Sequence, residues 1–351
     1  MACITTSAPG KIILYGDHGV HRQQPNIVTS IDLRTYCRVT VRNDNTYVLR
    51  SGKRIESAAR QELLAFRTQV DALRERKDVE QLSILGHPFF APTRLALANA
   101  ITLFNPPGLD IEWFSQIPVG SGLGSGAAAS CSLALAVACA AGIEPKLDDI
   151  IYCGWQGDVI AHGGYGSSLD SSTIVLGQLV QYSLEKKANP LSFNLSLPLV
   201  VGDTQIIHST GAVNTHIRLW LQEHPERIHI FRDMTYLFPL FLQSLEAHDL
   251  VSLGHIWNLH QLLQEKMGTS IPELDSLIEA SLRAGALGAK ICGSGGGGTI
   301  LALSSPEGRD QIAAAIEAVG GKSYRVNTGV PGVRREPNEI WDEVSSGFSL
   351  S

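Results

Sequence analysis

Ile117-Pro-Val-Gly-Ser-Gly-Leu-Gly-Ser-Gly-Ala-Ala-Ala-Ser-Cys-Ser-Leu-Ala-Leu-Ala-Val-Ala-Cys-Ala-Ala-Gly142 is the stretch on which the fold turns. Its first part alternates glycine with small residues. Its second part is an uncharged run rich in Ala and Leu that ends on glycine. The pattern predicts a glycine-rich loop running straight into a buried helix with a glycine stop. Backbone N–H groups in such a loop can approach an anion closely, and the dipole of the following helix adds a favourable field. Two readings of Gly120–Gly126 stand at this point, a phosphate cradle or a tight turn into a packed helix. A Walker A loop is excluded, because that pattern needs a lysine directly after its last glycine and Ala127 follows Gly126.

Working outward, Leu109–Phe114 alternates apolar and polar residues like a strand, as does Tyr36–Arg42, and Ile12–Tyr15 is a short apolar run after Pro9-Gly10. Ala, Leu, Glu and Arg dominate from about Glu56 to Lys77, which predicts a helix. A second short helix is expected over Ile150–His162, then a loop of Gly and Ser, then the β-branched run Ser172–Leu176. Beyond about residue 190 the character changes to a strand at Leu199 and helical segments over Val213–Glu223 and Met234–Leu263. Near the end, Ala289–Cys292 enters the block Gly293-Ser-Gly-Gly-Gly-Gly298, and Thr299–Leu303 leaves it. That block satisfies the dinucleotide pattern G-x-G-x-x-G, but the pattern must end a strand and open a helix. Here it leads into a second strand, so a nicotinamide-binding domain is excluded.

The length of 351 residues predicts two domains, residues 1–190 and 191–351, and the absence of a low-complexity linker predicts that they pack closely. Charged residues at 18% and hydrophobic ones at 44% suit a folded globular enzyme. A net charge of −6 argues against a nucleic-acid partner, which calls for a clustered basic excess. An anionic substrate would therefore rely on local Lys, Arg or helix N-termini. Six cysteines without a CxxC pair read as reduced thiols of a cytoplasmic protein, with no Cys/His metal cluster. No secretory signal opens the chain and no run of about 18 apolar residues exists to span a membrane.

Three blocks read together carry a resemblance. Ser7-Ala-Pro-Gly-Lys-Ile-Ile-Leu-Tyr-Gly-Asp-His18, Pro118-Val-Gly-Ser-Gly-Leu-Gly-Ser-Gly-Ala-Ala128 and Lys290-Ile-Cys-Gly-Ser-Gly-Gly-Gly-Gly298 resemble, in order, the three motifs of the GHMP kinase superfamily. Within it, the Ser30-Ile-Asp-Leu-Arg-Thr-Tyr36 stretch is most similar to mevalonate kinases. The resemblance implies a two-domain α/β fold (α+β in its layering), with an N-terminal ribosomal-protein-S5-like domain and a C-terminal ferredoxin-like one. It implies ATP and Mg²⁺ as cofactors, mevalonate as small-molecule substrate and 5-phosphomevalonate as product, and a homodimer. Pro118, Gly120, Ser121, Gly122, Leu123, Gly124, Ser125, Gly126 and Ala127 would hold the nucleotide. Asp170 falls where the family places its catalytic aspartate and Lys11 where it places the neighbouring lysine. A carboxylate there can accept the proton of an attacking hydroxyl, and a cation beside it keeps it ionised and stabilises a developing alkoxide. Asp158, where mevalonate kinases carry a magnesium-binding Glu, is one helical turn before His162 and would bind the metal with Ser125. Asp17, His18, His208, Thr210, Gly295 and Gly296 would meet the substrate.

The chain also departs from the pattern. Gly126 stands where the second motif usually has a magnesium-binding Ser, so Ser125 or a water is expected to fill that position. Ala129 replaces a common tyrosine, the Asp170 loop is one residue longer than usual with Tyr165 in its proline region, and His208 replaces an arginine that pairs with the substrate carboxylate. These changes keep a sugar kinase of the same superfamily open as an alternative, and a diphosphomevalonate decarboxylase-like enzyme as a more distant one.

Overall fold

The computed structural model describes residues 3–19, 24–164, 166–207 and 210–346. The chain opens with two long antiparallel strands, β1 (Cys3–Tyr15) and β2 (Asn26–Val41). A hairpin of β3 (Thr46–Ser51) and β4 (Arg54–Ala59) follows, turning on Gly52 and Lys53. Then come α1 (Arg60–Arg76), α2 (Val79–Gly86), α3 (Ala91–Phe104), β5 (Leu109–Ser115), α4 (Ser125–Ala140), α5 (Leu147–Ala161), α6 (Leu169–Leu176), β6 (Leu179–Ser183) and β7 (Lys187–Pro190). The helix expected from Glu56 starts at Arg60 instead. Pairing of Arg54–Ala59 along β3 overrides the helix-forming Glu and Ala residues, as tertiary context does with propensity. The β-branched run Ser172–Leu176 lies in helix α6, where Thr173 Oγ1 donates to Leu169 O at 2.8 Å and Gly177 ends the helix.

The rest of the chain supplies β8 (Leu199–Asp203), α7 (Thr210–Glu223), α8 (His229–Glu246), α9 (Leu250–Lys266), α10 (Pro272–Arg283), β9 (Gly288–Cys292), β10 (Thr299–Leu303), α11 (Arg309–Ala318), β11 (Lys322–Val326), β12 (Arg334–Glu336) and α12 (Ile340–Ser346). The helical stretch expected over Met234–Leu263 is two helices. Asp249 caps the second by accepting from Ser252 N at 3.0 Å, which closes off an N-terminal donor and resets the chain direction.

Strands form two sheets. The larger has the order β12-β1-β2-β5-β3-β4, with β6 pairing the first part of β2 and β7 beside it. The smaller is antiparallel in the order β11-β8-β10-β9. The glycine block Gly293–Gly298 is therefore a turn between antiparallel strands, as its context in the sequence predicts. One apolar cluster spans both sheets, from Ile12, Ile31 and Ile111 through α4 to Val201, Leu301 and Trp257. At its centre α4 is apolar on nearly every side, and each fully buried leucine such as Leu133 contributes about 1.5–3 kcal/mol relative to exposure. A second cluster, with Leu274, Ile291 and Ile316, fills the space between the smaller sheet and α10–α11. Among the described residues no helix is long and apolar enough to cross a membrane.

Candidate active site

The glycine loop lies between the two sheets and is fastened to both. Lys11 N in β1 donates to Leu123 O at 2.9 Å, and Thr299 Oγ1 at the start of β10 donates to Ser121 O at 3.2 Å. Ser121 Oγ closes the loop onto Pro118 O at 2.9 Å. Helix α4 then starts at Ser125 with Gly124 as N-cap and no capping side chain. First-turn N–H groups of a helix lack intrahelical acceptors, so they are left for an anion at the positive end of the α4 dipole. Gly124 is demanded twice over. Its φ is +81°, and a Cβ there would sit 3.0 Å from Lys11 Cγ and 3.1 Å from Ile174 Cδ1. Gly126 by contrast faces open space, with nothing within 4 Å of a side chain's first atom. At the loop's outer edge Val119 is exposed, and the exposed Ile207 comes within 3.8 Å of where a Gly120 side chain would begin.

Against this loop stand a lysine and two carboxylates. Lys11 Nζ is 3.0 Å from Asp170 Oδ1, with the lysine buried and Asp170, in the first turn of α6, partly exposed. Burial pulls the Lys11 ammonium down, but the charge of Asp170 and its hydrogen bond outweigh this and leave it above its ordinary value. Asp158 projects from the last turn of α5. Its Oδ2 is inaccessible and has no hydrogen-bond partner among the described residues. Burial and then the charge of Asp170 push the Asp158 carboxyl well above the usual range, with Lys11 opposing. His162, the residue paired with Asp158 by spacing, uses Nδ1 on Asp158 O at 2.7 Å and faces solvent. Ser125 is half-buried as the first residue of α4.

The expected substrate contacts fall in different places. His18 is half-buried in the turn after β1, with a left-handed φ of +65°. Asp17 beside it is wholly buried: Oδ1 accepts from Gly293 N at 2.7 Å and Oδ2 meets Lys290 Nζ at 2.6 Å. Gly295 packs against the α9–α10 connection so tightly that a Cβ would lie 2.2 Å from Thr269 O, and Gly296 N donates to that same oxygen at 2.8 Å. Thr210 begins α7. His208 and Tyr165 lie outside the described residues.

Sequence reading assigned no role to Lys290 or His260. A lysine inside the apolar strand Gly288–Cys292 is the signal that a buried partner exists, since an unpaired buried ammonium is prohibitively costly. Helix α9 gives no such signal for His260, because only the fold brings it 4.0 Å from Asp17.

Family comparison fits this arrangement. The family model described as GHMP kinases N terminal domain matches residues 93–178, and GHMP kinases C terminal matches residues 241–322. The chain is 31% identical over 339 residues to a mevalonate kinase of Pyrococcus horikoshii, covering 95% of this chain and 98% of that one. It belongs to the GHMP kinase family. Solved structures share the fold: Methanococcus jannaschii mevalonate kinase has a TM-score of 0.79 at 19% identity, covering 94% of this chain and 98% of that one. Lactococcus lactis galactokinase complexed with galactose has a TM-score of 0.73 at 17% identity, covering 95% of each. Fold likeness thus spans kinases with unlike acceptors, and a GHMP kinase's acceptor has to be argued from residues. The three blocks on which the resemblance rests are all present in this GHMP kinase and touch one another, Lys11 N bonding Leu123 O, Gly293 N bonding Asp17 Oδ1 and Thr299 Oγ1 bonding Ser121 O.

Proposed function

We propose that this GHMP kinase transfers the γ-phosphoryl group of ATP to the primary hydroxyl of mevalonate, giving 5-phosphomevalonate. The observation that carries the chemistry is the Lys11–Asp170 pair at 3.0 Å, packed against the N-cap glycine of α4. Near-complete alignment with a mevalonate kinase supports the acceptor. The first-turn N–H groups of α4 and the loop Pro118–Ala127 hold phosphate oxygens. Asp170 orients the acceptor hydroxyl and takes its proton, and Lys11 beside it stabilises charge developing on the hydroxyl oxygen.

The residues fit a magnesium ion by their donor chemistry. Among the described residues there is no group of three or more His, Cys, Asp or Glu that would form an all-protein cage. Mg²⁺ needs none, since it keeps several waters and takes one or two carboxylates plus substrate phosphates. Asp158, with its buried unpartnered Oδ2, and Ser125 would hold it. Bound there, the ion would neutralise charge on the β- and γ-phosphates.

The test is ADP release with Mg-ATP against mevalonate, phosphomevalonate, diphosphomevalonate and free sugars, with Asp170→Asn alongside. Mevalonate-dependent ADP that vanishes in the variant is the expected outcome. Turnover of a sugar instead would keep the kinase and discard mevalonate, and turnover indifferent to Asp170→Asn would overturn the catalytic assignment.

A further inference from the structure

Two turns carry the residues read as acceptor contacts, the one after β1 with His18 and the one between β9 and β10 that starts at Gly293. Asp17 links them: its Oδ1 accepts from Gly293 N, and its other oxygen meets Lys290 in the strand that leads into the second turn. Asp17 and Lys290 are both 0% exposed and meet at 2.6 Å. Asp17 spends one oxygen on the Gly293 N–H and the other on Lys290, while the Lys290 ammonium also donates to Ile291 O at 2.6 Å and Ile13 O at 3.2 Å. The ammonium thus makes two hydrogen bonds to main-chain carbonyls and sits in ion-pair contact with the Asp17 carboxylate. Behind the pair, His260 presents Nε2 to Asp17 Oδ2 at 4.0 Å and uses Nδ1 on Gln264 Oε1 at 3.2 Å. Wholly buried against Lys290 and the Gly293 N–H, the Asp17 side chain faces the protein interior and not open space.

A buried pair of this kind adds little stability over apolar residues of equal volume, because desolvation offsets the attraction. What it does is fix direction. Asp17 is on a turn that no regular hydrogen-bond ladder holds, whereas Lys290 is held in strand β9 just before the turn at Gly293, so the strand fixes the turn through Asp17. His18 follows Asp17 directly and sits in the left-handed region, a conformation that persists in a non-glycine residue only when its surroundings over-determine it. The strand leading into this turn also carries Lys11.

We propose that Asp17 and Lys290 are positioning residues, their buried ion pair, backed by His260, locking the His18 turn and the Gly293 end of the third glycine block into one wall of the acceptor site. This inference rests on reading the site as one of phosphoryl transfer, and it reassigns Asp17 from touching substrate to holding the residue that does.

The experiment compares the wild-type chain with the double variant Asp17→Asn/Lys290→Met, which removes both charges at nearly constant volume. Amide exchange is followed by mass spectrometry over residues 16–19 and 293–298, and kcat and KM are measured separately for the acceptor and for Mg-ATP. The expected result is faster exchange confined to those two turns, with the acceptor KM raised about tenfold or more and the Mg-ATP KM within about twofold. A folded variant with unchanged exchange in both turns and an unchanged acceptor KM would overturn the proposal. If the double variant does not fold, Asp17→Glu, which keeps the charge but moves it by one methylene, is read the same way. Exchange needs no acceptor, so it judges the brace even where wild-type protein fails to turn over mevalonate, a failure that counts against the acceptor assignment alone.

Discussion

Replacing Lys11 by Met removes one charge from the site while keeping a side chain of similar length and an apolar stem. At 3.0 Å the Lys11–Asp170 attraction is about 5–6 kcal/mol for an effective dielectric of about 20. The resting protein keeps little of that. The Lys11 side chain is 7% exposed and burying its charge costs several kcal/mol, while the Asp170 side chain at 31% can rehydrate once its partner is gone. Stability should therefore change little, and the thermal midpoint should stay within a few degrees of wild type. The reaction is affected differently. In the proposed reaction Asp170 takes the hydroxyl proton, negative charge moves to the attacking oxygen, and a pre-oriented cation beside it acts without reorganisation. Losing one such group costs about 2–4 kcal/mol of transition-state stabilisation, about 30- to 1000-fold in kcat. Coupled ADP release with mevalonate measures it, with the thermal melt as control. A Lys11→Met enzyme that keeps a third or more of wild-type kcat at an unchanged melt would refute the reasoning, since the cation would then have no part in the chemical step.

Two further perturbations act in other directions. Asp158→Asn removes a carboxylate that burial and Asp170 disfavour, so the variant should melt higher than wild type without ligand, by on the order of 1 kcal/mol, yet lose the extra melting protection that Mg-ATP gives the wild type over ATP with EDTA. An unchanged or lower ligand-free melt would contradict it. His260 is held down to about 4 by burial and then by Lys290. Its folded value lies below the ordinary 6.5, so its contribution is intact above pH 6.5 and lost as pH falls toward 4, on the order of 3 kcal/mol. Urea unfolding at stepped pH should show that slope flattened in His260→Gln, and an unaltered slope would place the acid sensitivity elsewhere.

How far the sequence could be read depended on whether local chemistry or distant contact decided each feature. The glycine loop and α4 were legible because consecutive residues specify them, as were β9, β10 and the glycine turn that excluded a dinucleotide fold. The hairpin β3–β4 was hidden because Glu56 and Ala58 favour helix by themselves, and only pairing with β3 makes them strand. Helix α3 gave no distinctive signal, since Ala91–Phe104 is buried on almost every side and so lacks a polar stripe. Within the site, Lys11 and Asp170 were nominated by motif, but their 3.0 Å contact depends on β1 and α6 meeting beside Gly124. The Asp17–Lys290 pair joins residues 273 positions apart in the chain (290 less 17), beyond the reach of any local pattern.

The two sides of the proposed site, the glycine loop before α4 and the pair of turns at His18 and Gly293, are built on different principles. At the phosphate end, backbone does most of the holding. Lys11 N, the first turn of α4 and the Thr299 hydroxyl fix the loop through main-chain groups, and Gly124 is required by both its φ and its neighbours. Such a site admits few sequences and recognises what every nucleotide triphosphate shares. At the acceptor end, side chains on turns do the work, and a turn needs a separate device to hold it. A buried ion pair of small net stabilisation is suited to that task, because it fixes one geometry without binding the ligand. The pocket beyond it can then vary in shape while the transfer machinery stays the same. On the proposed function the substitutions that change the acceptor are to be sought around the His18 turn, and those that abolish transfer altogether at Lys11, Gly124 and Asp170.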